Sequence, residues 1–414
     1  MTLSRYRIAL IQLLSIFLLI LYSGCAIEDS GISPLSVEDF RFDGPLGSGG
    51  AQIARVDTNH FRVTLDHAPH QPGWPNKLNF EILQNAKGND LKLEVEFDGG
   101  AGMSFNEYAQ SWSYDGKEWE PVHWEMGFRE SPQYDVLSFP VFEEDQVYVG
   151  TQVPLSFETA ESMQEQWAEN PNVTLHTIGE SIQGRPLYRL EISDTESEVA
   201  EENRWGHYFA NQHPGEHNSQ WRMAGMVDWI LSEEGAEYRQ NNVSHFIFYM
   251  SPDASTHGWY RVNEDGVDMN RSYRAEGSSR EEQTHEAYMW QKDLEELMAS
   301  EVPVTSIWAM HTWQGIVEPL LRTGPEMGST LGPWTEFRDA ITQNDPDTLI
   351  KTLVARGELE GYGAVSWSDG PHEQFGITAI LCEGGGSFYT KEENITSGEI
   401  LIKSIADYYS ENKE

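Results

Sequence analysis

The 414-residue chain is short of cysteine, of basic residues and of long apolar runs, and each shortage closes off a class of protein. Its two cysteines, Cys25 and Cys382, cannot build a disulfide framework, so the fold must rest on its core and on any metal it holds. Lysine and arginine number 27 against 67 acids, a formal charge of −40, which excludes a nucleic-acid backbone as partner. The acids are scattered rather than blocked and read as a solvated surface. The one long apolar run, Ile8 to Tyr22, has 15 residues, short of the roughly 20 that a bilayer-spanning helix needs. No Gly-x-Ser-x-Gly elbow occurs, which argues against a serine hydrolase of the α/β type. No repeat of solenoid or propeller period is visible either.

What remains is ordinary globular material: 39% hydrophobic and 12% aromatic residues over this length can bury two moderate cores. Residues 1–25 stand apart, because Arg5 and Arg7 precede the apolar run and small residues follow it in Ser23-Gly24-Cys25. That is the layout of a cleaved export signal. Its ending resembles the lipobox of bacterial lipoproteins, with Tyr22 as a departure, which implies lipidation of Cys25 and a place in the bacterial periplasm or cell envelope. Removing residues 1–24 takes away Arg5 and Arg7 and no acid, leaving 25 basic residues against 67 acidic and a charge of −42.

From Leu35 to Val153, runs such as Phe61-Arg62-Val63-Thr64-Leu65 and Leu91-Lys92-Leu93-Glu94-Val95-Glu96-Phe97 alternate apolar and polar residues. Asn89-Asp90, Asp98-Gly99-Gly100 and Asp115-Gly116 punctuate them as turns, so an antiparallel β-sandwich is expected over 26–153. His67 and His70 are spaced for a metal but read as surface loop residues. After Glu158 buried apolar runs alternate with helical stretches, and an α/β unit with a mostly parallel sheet and helices on both faces is expected over 154–414. The expected strands are 187–192, 205–211, 245–250, 305–310 and 377–382. Helices are expected at 219–232, with Trp221, Met223, Ala224, Val227 and Ile230 inward, at 281–299 and at 397–409.

Strand ends carry the chemistry. The strand 205–211 runs into His213-Pro214-Gly215-Glu216, 305–310 into His311 and 377–382 into Glu383. In open α/β sheets the carboxyl ends of strands share one cleft, so these groups can meet. The chain has one His-x-x-Glu, and it places an imidazole and a carboxylate on one side of a turn bent by Pro-Gly. A zinc ion that does catalysis takes three such N/O ligands and keeps a position for water. Taken singly, Glu383 before three glycines reads as a loop acid, Arg271 as a surface ion pair, His217 as a neighbouring polar group and Cys382 as a small buried residue.

Gln183-Gly184-Arg185-Pro186-Leu187, His213-Pro214-Gly215-Glu216, Ser251-Pro252-Asp253 with Gly258-Trp259-Tyr260-Arg261, Gly266-Val267-Asp268-Met269-Asn270-Arg271, His311 and Cys382-Glu383-Gly384-Gly385 stand in one order. Over about residues 155–412 this order resembles the zinc metallocarboxypeptidases, and most closely the cytosolic-carboxypeptidase-like branch, whose catalytic domain also follows a β-sandwich. The resemblance implies one zinc per chain on His213, Glu216 and His311. It implies Glu383 as general base and acid, Arg261 as the group polarising the scissile carbonyl, and Asn270 with Arg271 as the clamp on a terminal carboxylate. Tyr362 is the candidate for the family's mobile-loop tyrosine. Gly215 departs from the arginine of pancreatic members. The substrates implied are peptide or protein C-termini, with no nucleic acid and no membrane contact beyond a lipid on Cys25. The alternative is an amidase or deacylase on the same scaffold acting on cell-wall peptides or N-acyl amino acids, against which Asn270 and Arg271 speak.

The charge bears on specificity. A surface this acidic repels polyacidic peptides at low salt, and one or two arginines at the site cannot offset that along a whole acidic tail. At low salt, kcat/KM for a peptide ending in neutral residues should exceed that for a matched glutamate run, and the gap should shrink towards seawater strength. A clear preference for the glutamate run at low salt would refute this reading.

Overall fold

The computed structural model describes residues 31–97, 110–122, 128–131, 134–274, 282–312, 320–323, 331–347, 349–350, 365–367, 369–383 and 389–411. Residues 1–30, Cys25 among them, and Tyr362 lie outside the described residues.

Residues up to Thr151 form two five-stranded sheets. One orders its strands Phe40–Arg41, Phe80–Ile82, Val147–Thr151, Gln110–Ser113 and Glu120–Pro121, all antiparallel. The other orders Phe128–Ser131, Tyr134–Phe139, Leu91–Phe97, His60–Leu65 and Gln52–Asp57. Alternation does here what the sequence implies: Phe61, Val63 and Leu65 point into the core with Leu91, Leu93 and Val95. The expectation of purely antiparallel pairing needs one correction, because His60–Leu65 and Leu91–Phe97 run parallel. Between them the chain leaves for the hairpin at His67–Pro75 and a strand of the opposite sheet, and a crossover returns it in the same direction.

The second unit is a seven-stranded sheet. Its strands are β1 (Val173–Glu180), β2 (Pro186–Ile192), β3 (Trp205–Ala210), β4 (Asn242–Ile247), β5 (Val304–His311), β6 (Leu320–Thr323) and β7 (Thr378–Glu383), in the order β1-β2-β4-β3-β5-β7-β6. The four central strands are parallel and the outer pairings antiparallel. Helices α1 (Phe157–Trp167), α2 (His217–Leu231), α3 (Ala236–Asn241), α4 (Pro252–His257), α5 (His285–Met298), α6 (Leu331–Asn344), α7 (Gly370–Phe375) and α8 (Lys391–Glu411) accompany it. Period two shows both faces covered: Phe209, Trp308 and Ile380 pack with α2, α6 and α8, while Tyr208, Ile307 and Ala379 pack with Trp290 and Leu294 of α5. Helices α2 and α8 approach so closely that a Cβ on Gly225 would lie 2.1 Å from the Ile395 carbonyl oxygen, and one on Gly398 2.0 Å from that of Arg222.

Strand β4 starts three residues earlier than expected. Its first residues are polar yet buried, Asn242 bonding His207 (2.9 Å) and Ser244 bonding Tyr238 (2.7 Å), which hides it from an apolar-run reading. Edge strands β1 and β6 were not expected; β1 carries Thr174, His176 and Thr177, Gly179 and a register shift.

The two units meet in buried contacts. The Lys77 amide donates to the Gly258 carbonyl (2.8 Å), Gln152 Oε1 accepts from the Asn218 amide (3.0 Å), and Trp221 donates to the Val153 carbonyl (2.9 Å). The Lys77 amine is itself buried and 2.9 Å from His217 Nε2. Burial pushes that amine from its ordinary 10.5 down to about 7, and burial followed by Lys77 holds His217 well below its own usual value. Between about pH 7 and pH 10.5 the unfolded chain therefore binds a proton here that the folded one does not, so folding gains stability as pH rises through that window. Thermal unfolding of wild type and Lys77→Met should show the wild type gaining on the variant from pH 7 to pH 10, at up to about 1.4 kcal/mol per pH unit. A constant or falling difference would mean that the amine stays charged in the fold.

Candidate metal centre and active site

Parallel strands deliver the site to one end of the sheet. Beyond β3, Asn211 locks three strand ends together: its amide takes the Ile247 carbonyl (3.0 Å) and its side chain the Met310 carbonyl (3.2 Å). The chain then turns through His213-Pro214-Gly215-Glu216, closed by the Glu216 amide on the His213 carbonyl (3.1 Å). Glu216 caps α2, and β5 ends on His311.

In this turn His213 Nδ1 lies 2.8 Å from Glu216 Oε1, His311 Nδ1 2.8 Å from Glu216 Oε2, and the two Nδ1 atoms are 3.0 Å apart. One ligand atom from each residue falls within 4.8 Å of the others, and all three residues are buried. His213 Nε2 faces Asp268 Oδ1 at 2.9 Å, which assigns the ring proton to Nε2 and turns the Nδ1 lone pair towards the cluster. His311 Nε2 is buried without a hydrogen-bond partner among the described residues.

The pocket favours positive charge. Burial works to raise the Glu216 carboxyl, yet the His213 and His311 imidazoles outweigh it and hold the carboxyl far below the usual range. For His213, burial and Arg261 favour the neutral ring, but Glu216 and Asp268 win and raise it above its ordinary value. Two nitrogens and a carboxylate in an enclosed site that favours a cation are the donor set of a catalytic divalent metal.

Asp268 was quoted above only as part of a motif and is the functional residue that sequence reasoning missed. Its carboxylate accepts from His213 Nε2, from Arg261 Nε (2.7 Å) and from the Asn270 amide (2.9 Å). The signal available was its place two residues before Asn270, where an Asp can cap the short turn Met269–Arg271. Arg261, Asn270 and Arg271 thus gather around one acid. Asn270 is buried and its Oδ1 accepts from the Trp367 amide (2.9 Å), which leaves its Nδ2 group to donate elsewhere. Arg271 donates from Nη1 to the Asn270 carbonyl (2.8 Å). Glu383 ends β7 with its backbone in register beside His311.

The glycine departure has a steric cause. A Cβ at Gly215 would meet Tyr260 Cδ2 at 2.5 Å and its carbonyl oxygen at 2.7 Å, so no arginine fits there. His217 is buried and turned from the cluster towards Gln220 (2.9 Å) and Lys77, so it neighbours the cluster without joining it. Cys382 is buried as expected, with Arg222 Nη1 3.2 Å from its sulfur.

The sequence pattern of the zinc carboxypeptidase family matches residues 159–312. Cytosolic carboxypeptidase 2 of Danio rerio is 26% identical over 182 residues, 42% of this chain and 24% of that protein. Its Homo sapiens counterpart is 29% identical over 264 residues, 56% of this chain and 29% of that protein, so the chain spans about a quarter of the length of these two relatives. A metallo-carboxypeptidase from Burkholderia cenocepacia superposes with a TM-score of 0.73 over 90% of this chain and 99% of its own, at 17% identity, and shares the fold. By that matched segment, those relatives and that fold, residues 159–312 carry the pattern of the zinc carboxypeptidase family, and the chain is similar to its cytosolic-carboxypeptidase-like branch.

Proposed function

We propose that the protein is a zinc-dependent metallocarboxypeptidase that removes C-terminal residues from peptides. The observation that carries this is the enclosed His213, Glu216 and His311 cluster joined through Asp268 to Arg261 and to the Asn270-Arg271 turn. Zinc bound by the three residues supplies Lewis acidity, acidifying water and polarising a carbonyl at neutral pH. Asp268 holds the His213 ring in its ligating tautomer. Arg261, with Nε committed to Asp268, offers its Nη groups to the developing oxyanion, where one such donor is worth about 2.7–4 kcal/mol. Asn270 Nδ2 and the Arg271 guanidinium hold the terminal carboxylate, which restricts cleavage to chain ends. Glu383 takes a proton from water and returns it to the leaving amine. The leader pattern of residues 1–25 supports an exported, lipid-anchored enzyme acting on peptides of the cell envelope or its surroundings.

Metal analysis should find about one zinc per chain, lost in His213→Ala and in His311→Ala, while Asp268→Ala keeps the ligands but weakens zinc affinity about 10–100-fold. Full occupancy in both histidine variants would end the metal assignment.

Glu383→Gln should retain zinc and KM and lose kcat by several orders of magnitude, since its work is done in the transition state. Arg271→Ala should raise KM for free-acid peptides and narrow their advantage over C-terminally amidated ones. Equal cleavage of amidated and free-acid peptides by the wild type would rule out an exopeptidase of this kind.

A further inference from the structure

We infer that Trp74, a residue of the β-sandwich unit, is a positioning residue of the active site: its ring fixes the plane of the Arg261 guanidinium. This rests on the role given to Arg261 above. The Arg261 Cζ atom lies over the Trp74 ring, 4.6 Å from its centroid. Trp74 sits in the strand Gln71–Pro75 of the sandwich hairpin, half-buried against Ala68 of its own unit and Ala254, Trp259 and Val262 of the catalytic unit.

The geometry explains why a second contact is needed. Asp268 grips Arg261 by one atom, Nε, at 2.7 Å. A single hydrogen bond lets the planar group swing about the donor–acceptor axis, carrying its Nη atoms out of line with any oxyanion. An aromatic face beneath the plane removes that freedom, because the cation–π attraction is lost as the guanidinium slides off or tilts away. Edge and face together define the direction of the Nη groups.

The platform is itself held. Asn76 bridges to Trp259 and the Lys77 amide bonds the Gly258 carbonyl, so the chain just after Trp74 is stitched to the loop just before Arg261. Gly47 and Gly258 pack so closely that a Cβ on Gly47 would come within 2.7 Å of the Gly258 amide nitrogen. The sandwich unit therefore completes the oxyanion side of the site.

The test combines Trp74→Phe, Trp74→Leu and Trp74→Ala with wild-type and Arg261→Ala backgrounds, reading kcat and KM on a free-acid peptide, zinc content and thermal unfolding. Trp74→Leu and Trp74→Ala should lower kcat about five- to thirty-fold with KM within about two-fold and zinc unchanged, while Trp74→Phe keeps most of the activity. In the Arg261→Ala background the same substitutions should change kcat no further, whereas a merely structural role would cost the same factor again. Phe and Leu both keep apolar bulk in the cluster, so their comparison decides the matter even where Trp74→Ala does not fold. Equal activity of Trp74→Leu and Trp74→Phe, or losses that multiply in the Arg261→Ala background, would overturn the inference. If Arg261→Ala itself leaves kcat intact, the role proposed for Arg261 falls and this inference with it; if Arg261→Ala is damaging and the Trp74 variants are not, this inference alone falls.

Discussion

One carboxylate organises the site. Asp268 accepts hydrogen bonds from the His213 ring, the Arg261 side chain and the Asn270 amide, and so ties the turn after β3, the loop after α4 and the turn at Met269–Arg271 to a single point. It can do so only while ionised. Burial opposes that state, but His213, Arg261 and Arg271 outweigh it and hold the carboxyl far below its usual range. A neutral acid would lose acceptor capacity at its protonated oxygen and loosen the joint between the His213 ring, the Arg261 side chain and the Asn270 turn.

The scarcity of basic residues has a counterpart inside the fold. In a chain of charge −40, several of the few cations are buried at junctions rather than spread over the surface. Arg189 joins Asp293 (3.1 Å), Glu191 (3.1 Å) and His245 (2.7 Å) across β2, β4 and α5. Arg185 reaches Asp253 (2.8 Å) between β2 and α4, and Lys77 marks the seam between the two units. At the two arginines, removing a partner would strand a buried charge, which costs about 3–5 kcal/mol when a buried pair is broken. The acidic exterior keeps the protein soluble, and the internal cations specify how its elements meet.

The sequence was most legible where one physical rule acted alone. Alternation in Phe61–Leu65 follows directly from burying one face, and the residues expected inward from Trp221 to Ile230 are buried, though α2 is enclosed on every side from His217 to Val227. The grouping of His213, Glu216 and His311 was legible because these residues lie at or just beyond strand ends, and strand ends converge in a parallel sheet. Strand β4 was displaced because Asn242 and Ser244 satisfy their polar groups inside the core, which no apolar pattern can reveal. Asp268 was hidden for a related reason: its partners lie 7 and 55 residues away in sequence, so its role exists only after folding. Trp74 and Lys77 belong to the same class, each serving a unit of the fold other than its own.

Glu216 shows why a metal site of this kind needs support from distant parts of the chain. It caps α2, so any shift of that helix moves a ligand. Helix α2 is pinned on one side by α8, through the reciprocal contacts at Gly225 and Gly398 where no Cβ could be accommodated without displacement. It is pinned on the other by the linker into the sandwich unit, where Gln152 takes the Asn218 amide and Val153 the Trp221 ring. Catalytic constellations tolerate errors of only about 0.5 Å, less than the distance a helix moves when a neighbour repacks. Helix α8 and the end of the first unit therefore bear on the placing of a single carboxylate.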